Sequence, residues 1–183
     1  MKIISTEFRG LYVLEPTVFE DHRGYFMESY NHKLLQKNSI DYQFVQDNQS
    51  KSTYGVLRGL HFQNPPHAQT KLIRAISGTI LDVVVDIRKS SPTYGKHFSI
   101  VLSAENRKQL LVPKGFAHGF SVLSETAEIL YKCDAFYNKA SEGGLRFDDP
   151  SFNIDWKVPH ANVLLSEKDK VYNSFATFKS DFD

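Results

Sequence analysis

The chain has 183 residues, of which 41% are hydrophobic and 23% are charged, and its formal net charge is +1. This size and composition are typical of one globular domain with a sizeable core, and we expect a single domain over residues 1–183. The near-neutral charge and the lack of a basic stripe argue against nucleic acid as a partner.

The cysteine content and the apolar runs bear on where the protein works. Cys133 is the only cysteine, so no internal disulfide can form, which is typical of a reducing compartment. Residues Met1–Ser5 contain no long apolar stretch, and no run approaches the length that spans a bilayer. We therefore expect a soluble, cytoplasmic protein with no signal peptide and no membrane partner.

Short runs rich in Val, Ile, Phe and Tyr, separated by turn residues, predict a succession of strands. Ser77 and Gly78 predict a tight turn between two of them, and two short helices are predicted at His32–Asn38 and Lys168–Ser174. So many short strands at regular spacing indicate an all-β sandwich or barrel. In chain order the predicted strands are Leu11–Leu14, Gly24–Tyr30, Phe44–Asn48, Val56–Gln63, Lys71–Ile76, Ile80–Ile87, His97–Leu102, Gln109–Val112, Gly119–Leu123 and Glu128–Phe136.

The run Ile80–Ile87 is almost continuously apolar, unlike a strand with one wet face. A strand of this kind is covered on both sides. We expect a second sheet on one side and a subunit partner on the other, which indicates a homodimer.

Arg58 and His61 share one predicted strand and are the first candidates for a ligand-facing surface. A strand histidine among apolar neighbours is, taken alone, most often a core residue. Arg58 changes that interpretation, because arginine is rarely buried without an anion and its fork suits phosphate.

Lys71, Tyr131 and Tyr137 each have two readings. Lys71 protects a sheet edge, or its ammonium stabilises negative charge developing on an oxygen. Tyr131, in mid-strand, is packing or a proton donor. Tyr137, at a strand end, stacks on a base or caps the core.

Cys133 is expected to be inert core, because nothing nearby in sequence lowers a thiol pKa.

The spacing Pro113-x-Gly115-x-x-His118 is similar to the second motif of the cupin superfamily. Metal-binding cupins carry a His-x-His pair in their first motif, whereas the corresponding residues here are His61-Phe62-Gln63. The second histidine of that pair is missing, so the sequence offers too few ligands for a closed metal site. We expect no metal and a histidine free for acid–base work.

Taken together, these segments resemble the dTDP-4-dehydrorhamnose 3,5-epimerases over nearly the whole chain. The resemblance implies a jelly-roll cupin barrel with a few short helices, usually a homodimer, with no metal or organic cofactor. It also implies a nucleotide-sugar substrate, dTDP-4-dehydro-6-deoxy-D-glucose, and the product dTDP-4-dehydro-L-rhamnose. The segments that carry it are Phe19–Gly24, Arg58–Gln63, Asp82–Arg88, Pro113–Phe120, Asp148–Pro150 and Leu165–Asp169.

The resemblance also implies roles, position by position. His61 matches the catalytic base, Tyr131 the acid, Lys71 the enolate stabiliser and Asp169 the carboxylate that orients the histidine. Tyr137 matches the base-stacking position. Substrate-contact positions are matched by Arg23, Glu28, Gln46, Asp47, Asn48, Arg58, His118, Glu142 and Lys168.

The chain departs from the family pattern near its end. Trp156-Lys157-Val158-Pro159 stands where the family often has Trp-Pro, and the tail after Asp169 matches no family pattern. These departures concern the path of the last segment rather than the chemistry.

Several alternatives remain open. A single-centre epimerase acting only at C3 or C5 would keep the same catalytic residues, and so would an enzyme for a GDP- or CDP-linked sugar. A metal-dependent cupin is disfavoured by the missing His-x-His pair. A non-catalytic sugar-binding cupin would have a broken catalytic set, whereas His61, Lys71, Tyr131 and Asp169 are all present.

Overall fold

The computed structural model describes residues 1–183 and consists mainly of strands. Thirteen strands and one α-helix follow each other along the chain, with 3₁₀ turns at Lys139–Ser141, His160–Asn162 and Phe175–Thr177. The elements are β1 (Lys2–Ser5), β2 (Tyr12–Glu15), β3 (Val18–Asp21), β4 (Gly24–Met27), α1 (His32–Lys37), β5 (Gln46–Thr53), β6 (Leu57–Gln63), β7 (Lys71–Ser77), β8 (Thr79–Asp86), β9 (His97–Ser103), β10 (Gln109–Val112), β11 (Phe116–Val122), β12 (Thr126–Cys133) and β13 (Glu142–Gly144).

Two antiparallel sheets face each other. The six-stranded sheet has the order β1-β2-β10-β7-β12-β5, and the five-stranded sheet has the order β13-β6-β11-β8-β9. Gly78 joins β7 in one sheet to β8 in the other, at the predicted turn. Strands β3 and β4 form a separate hairpin. This arrangement confirms the predicted all-β jelly roll with few helices.

The main core fills the space between the two sheets. Alternate residues of each strand point inward, as the pleat requires, so Ile80 and Val84 of β8 pack with Ile73 of β7 and Ile129 of β12. All four are almost completely buried. At one end of this core the inward residues become polar, and that end holds the site described below.

The second face of β8 is covered by this chain itself. Leu81, Val83 and Val85 pack under the C-terminal segment, against residues such as Phe147 and Trp156. The prediction that a subunit partner covers this face is therefore wrong, because the last forty residues, which show no strand pattern, fold back over the sheet. The apolar second face of β8 therefore no longer supports a homodimer, which stays a prediction.

Two short helices were expected, and the structure has one of them. Helix α1 begins after Asn31, whose side chain accepts a hydrogen bond from the Leu34 amide, so the helix prediction at His32–Asn38 is confirmed. The prediction at Lys168–Ser174 is wrong. Turns occupy the first part of that segment, where Ser166 and Asp169 bond each other through side chain and backbone. No helix in the structure is long and apolar enough to cross a membrane.

Candidate active site

Two cavities meet at the polar end of the jelly roll. The first has a volume of about 290 Å³, and the second, on the other side of His61, about 380 Å³. His61 is the one residue that lines both. The first cavity is also lined by Gln46, Asn48, Phe62, Gln63, Gln69, Lys71, Tyr131, Tyr137 and Glu142. The second is also lined by Val56, Leu57, Arg58, Leu164, Leu165, Ser166, Lys168 and Asp169.

His61, which is partly exposed, pairs with the buried Asp169. The imidazole Nε2 lies 2.5 Å from Asp169 Oδ1, and the other carboxylate oxygen accepts a 2.9 Å hydrogen bond from the Ser166 hydroxyl. Burial acts to raise the pKa of Asp169, but the His61 and Ser166 hydrogen bonds and the nearby charge of Lys168 outweigh it and hold the pKa below its ordinary value. An ionised carboxylate only accepts hydrogen bonds, so Nε2 is the donor in this pair, and in the neutral imidazole the lone pair lies on Nδ1.

Lys71 and Tyr131 stand on the opposite sheet, on adjacent strands β7 and β12. The Lys71 ammonium lies 6.0 Å from the centre of the Tyr131 ring. Strand β7 is flanked on both sides, by β10 and β12, so the reading of Lys71 as an edge-protecting residue is wrong. Its side chain lines the cavity instead.

Burial shifts the pKa of both side chains toward the neutral form. Desolvation lowers the pKa of Lys71, although Cys133, Asp82 and Glu142 act in the opposite direction. Desolvation raises the pKa of Tyr131, and the Arg58 charge opposes that shift. Burial also raises the pKa of the Cys133 thiol, as expected for inert core.

Polar groups from three elements close the rim of the first cavity. Gln46 bridges two of them, because its amide nitrogen donates to Asn48 at 3.0 Å and its oxygen accepts from the Tyr137 amide at 3.0 Å. The Tyr137 hydroxyl reaches Glu142 at 3.5 Å, and Glu142 pairs with Lys168. The Tyr137 ring itself is exposed beside the cavity.

Arg58 stands between the two sheets at the second cavity. Its guanidinium donates only to the Ser52 hydroxyl, at 3.1 and 3.2 Å, and contacts no carboxylate. Gly59 follows at φ +126°, where a Cβ would lie 2.5 Å from the Gly119 Cα. The glycine therefore lets β6 approach β11 closely beside the site.

Four of the predicted substrate contacts line neither cavity. Asp47 points to the outer face of β5, where Lys132 holds it at 3.0 Å, because successive strand residues alternate between faces. His118 is buried and pairs with Asp82 at 2.9 Å. It is the register neighbour of His61.

Arg23 and Glu28 lie farther away. Arg23 is at the exposed turn of the β3–β4 hairpin, paired with Asp21 at 2.6 Å, beside a separate cavity of about 410 Å³. Glu28 is exposed and accepts a hydrogen bond from Asn31. Within one chain, neither is brought to the His61 site.

Sequence reasoning missed several neighbours of the site. Asp82 was not predicted as a neighbour of the site, because the sequence of an apolar strand does not show that its acidic residue pairs with His118. Ser166 precedes Asp169 by three residues, the spacing of a local side-chain turn, and that was the available signal. Tyr172, which packs on His61, lies in the tail that shows no pattern. The structure contains no cluster of three or more metal-ligating His, Cys, Asp or Glu side chains.

This geometry defines a class of protein: a jelly-roll enzyme in which a histidine–carboxylate pair faces a lysine and a tyrosine across one cavity, an acid–base site. A sequence profile of the family dTDP-4-dehydrorhamnose 3,5-epimerase matches residues 5–177. The protein of that name from Shigella flexneri is 54% identical over 170 residues, which cover 92% of this chain and 93% of the relative.

Solved structures agree. The crystal structure of dTDP-4-dehydrorhamnose 3,5-epimerase from Elizabethkingia anophelis superposes with a TM-score of 0.92 at 54% identity, covering 96% of this chain and 97% of that chain. An epimerase from Legionella pneumophila, solved in complex with dTDP-4-keto-L-rhamnose, gives 0.93 at 42% identity, covering 97% and 94%. The chain belongs to the dTDP-4-dehydrorhamnose 3,5-epimerase family, and it is an isomerase with the cupin-type fold of that family.

Proposed function

We propose that this chain inverts C3 and C5 of dTDP-4-dehydro-6-deoxy-D-glucose to give dTDP-4-dehydro-L-rhamnose. The observation that carries the proposal is the placement of His61 with Asp169 on one wall of the cavity and of Lys71 with Tyr131 on the facing sheet. Inverting a carbon requires removal of a proton from one face and delivery to the other, and this arrangement supplies a group on each side.

His61 acts as the base. A carbon–hydrogen bond beside a ketone is acidic because its conjugate base delocalises onto the oxygen. The Nδ1 lone pair takes the proton, and Asp169 stabilises the resulting imidazolium through the 2.5 Å bond to Nε2.

Lys71 stabilises the enolate. Negative charge grows on the C4 oxygen as the proton leaves, so a cation aimed at that oxygen binds the transition state more tightly than the ketone. Its burial beside Tyr131 makes this attraction stronger than it would be in water. Tyr131 then delivers a proton to the opposite face of the ring carbon, and burial, which raises the pKa of its phenol, further favours the protonated form.

The nucleotide lies along the rim of the first cavity and the adjoining second cavity. Arg58 is the cation whose only hydrogen bonds are to one hydroxyl, so its remaining donors are available to a diphosphate. Lys168, paired with Glu142, adds a second positive charge. The exposed ring of Tyr137 offers a flat face for the base, a contact of roughly 1–3 kcal/mol by analogy with single-stranded nucleic-acid binders.

We further propose a homodimer in which the β3–β4 hairpin meets the second copy. The hairpin exposes Phe19 and Phe26, which pair in register on one face and form an apolar patch that water disfavours. It also carries Arg23, which lies outside the site of its own chain. A symmetric dimer that buries the hairpin would supply Arg23 and Glu28 to the partner's cavity, and this arrangement reconciles their predicted role with their position.

The reaction uses no metal and no organic cofactor, because His61, Asp169, Lys71 and Tyr131 supply all of its proton transfers and charge stabilisation. The chain works as one domain over residues 1–183, and its lone buried cysteine suits the cytoplasm.

One assay distinguishes the proposal from its alternatives. The dTDP-linked 4-keto sugar is incubated with the protein in heavy water, and deuterium at each ring carbon is counted by NMR. Exchange and inversion at both C3 and C5 support the proposal, while exchange at one carbon indicates a single-centre epimerase. No exchange combined with tight binding indicates a non-catalytic cupin, and faster exchange on a GDP- or CDP-linked sugar reassigns the nucleotide.

A further inference from the structure

Tyr172 lies in the tail that the family resemblance does not explain, yet its ring packs against the candidate base. The centres of the Tyr172 and His61 rings are 5.7 Å apart, and the ring planes meet at 65°, an edge-to-face contact. Tyr172 lines neither cavity. It contacts the histidine from behind, away from the space in which a substrate would lie.

A glycine makes room for this ring. Gly144 of β13 pairs in register with His61 of β6. A Cβ at Gly144 would lie 2.3 Å from Cζ of Tyr172 and 2.5 Å from both neighbouring ring atoms. The phenol end of Tyr172 therefore sits directly on the backbone beside His61, and any side chain at Gly144 would displace it.

The backbone of the tail is fixed at the same place. The Arg146 amide, two residues beyond Gly144, donates to the Asn173 carbonyl at 3.3 Å. On the other side of Tyr172, Asp169 bonds His61 and Lys168 pairs with Glu142. The ring is thus wedged between β13 and the turn that carries Asp169.

The hydroxyl of Tyr172 is buried and has no hydrogen-bond partner of good geometry. The contact with His61 is therefore made by the ring and not by the hydroxyl. Burial raises the pKa of this phenol, and the adjacent Lys168 opposes that shift while Glu142 adds to it. The hydroxyl therefore lies next to the ion pair formed by two candidate substrate contacts.

We propose that Tyr172 is a positioning residue for the general base: its ring, seated on Gly144, fixes the His61 imidazole against Asp169 and keeps water from their hydrogen bond. The inference rests on the proposed role of His61. It assigns a function to the chain's own tail, because Tyr172 acts through His61 and does not touch the substrate.

The test uses the full-length protein and four variants: Tyr172→Ala, Tyr172→Phe, Gly144→Ala and the double variant Tyr172→Ala/Gly144→Ala. Tyr172→Ala is expected to lower kcat about 10-fold or more, since small misplacements of a catalytic group are costly. The dissociation constant for dTDP should stay unchanged. Tyr172→Phe keeps the ring and should stay within about 3-fold of wild type, as expected for a change that leaves the geometry intact.

Gly144→Ala should reproduce the loss by displacing the ring, and it should cause no further loss when Tyr172 is already alanine. Val171→Ala is the matched control, because Val171 is the neighbouring tail residue and is 76% exposed. Thermal unfolding of each variant establishes that it is folded.

A spectroscopic readout is independent of turnover. The proton shared by His61 and Asp169 should give a downfield imidazole resonance that is lost to solvent exchange in Tyr172→Ala and kept in Tyr172→Phe. Retention of this resonance and of kcat in Tyr172→Ala would overturn the inference, as would an equal loss in Tyr172→Phe. If His61→Ala itself keeps full activity, the proposed function fails instead.

Discussion

Lys71, proposed to stabilise the enolate, illustrates how a side chain in an active site can oppose folding. Burial lowers its pKa, so the folded protein binds fewer protons than the unfolded chain between the lowered and the ordinary lysine pKa. The free energy of unfolding therefore rises with pH across that window, and below it the buried charge is a cost. The charge faces the cavity in which an enolate would form, so its proposed catalytic role explains why the fold contains it.

Replacing this lysine by an apolar residue should remove activity and increase stability. Lys71→Met should abolish epimerisation but raise the free energy of unfolding at neutral pH by about 1 kcal/mol or more, because a buried charge gives way to a side chain of similar length. Urea unfolding at several pH values measures the effect. A less stable variant at neutral pH would show that the ammonium is well solvated or well paired in the fold.

Asp169 should also make stability rise with pH, but in an acidic window, and its charge stabilises the fold where the Lys71 charge opposes it. Its pKa is depressed in the fold, so its contribution is full above the unfolded value of about 3.9 and is lost as pH falls through the folded pKa. Asp169→Asn should therefore be less stable than wild type at pH 7, and the difference should shrink below about pH 4. Its dTDP affinity should be unchanged. A difference that is independent of pH would contradict the ionised pair with His61.

At the scale of elements, the β3–β4 hairpin is the part of the fold with no covering partner. Phe26→Ser should convert the proposed dimer to a monomer, because it removes a large apolar group from the surface that the second copy is proposed to bury. Phe136→Ser is the matched control, since Phe26 and Phe136 are both 69% exposed but lie on different surfaces. Light scattering measures the mass. If only Phe136→Ser dissociates the dimer, the interface lies at the rim of the site and not at the hairpin.

Elements with a clear apolar pattern could be predicted from the sequence, and those held by tertiary contacts could not. The predicted strands Lys71–Ile76 and Gln109–Val112 match β7 and β10 almost residue for residue, because each is a short apolar run that the fold buries. Strand β13 contains only Glu142, Gly143 and Gly144, and no propensity marks it as a strand. The cover over β8 also escaped prediction, because an apolar strand does not tell whether its own chain or a partner packs on it.

The sequence predicts some features of the site and not others. The grouping of His61, Lys71, Tyr131 and Asp169 could be predicted because the resemblance covers all four positions. The outward direction of Asp47 and the burial of His118 with Asp82 could not, since both depend on register and on contacts between strands distant in sequence.

At the scale of the whole molecule, the proposed dimer makes a prediction about shared sites. Arg23→Ala and His61→Ala homodimers should both be weakly active or inactive. If Arg23 serves the partner's cavity, a mixed dimer contains one site with both residues intact. After subunit exchange, a one-to-one mixture should recover about a quarter of wild-type activity, because half of the dimers are mixed and each has one working site. No recovery would place Arg23 in its own chain's site, and a fully active Arg23→Ala homodimer would place it outside catalysis.

The central claim is that proton removal and proton delivery belong to groups on opposite walls, and solvent exchange measured together with product formation tests it directly. In heavy water, His61→Ala should neither incorporate deuterium into the sugar nor form product, because no enolate forms without the base. Tyr131→Phe should still exchange, since His61 can return a solvent-derived proton to the face it came from. Its net inversion should fall by roughly 10²–10⁴-fold. Exchange at the wild-type rate in His61→Ala would contradict the account at its first step.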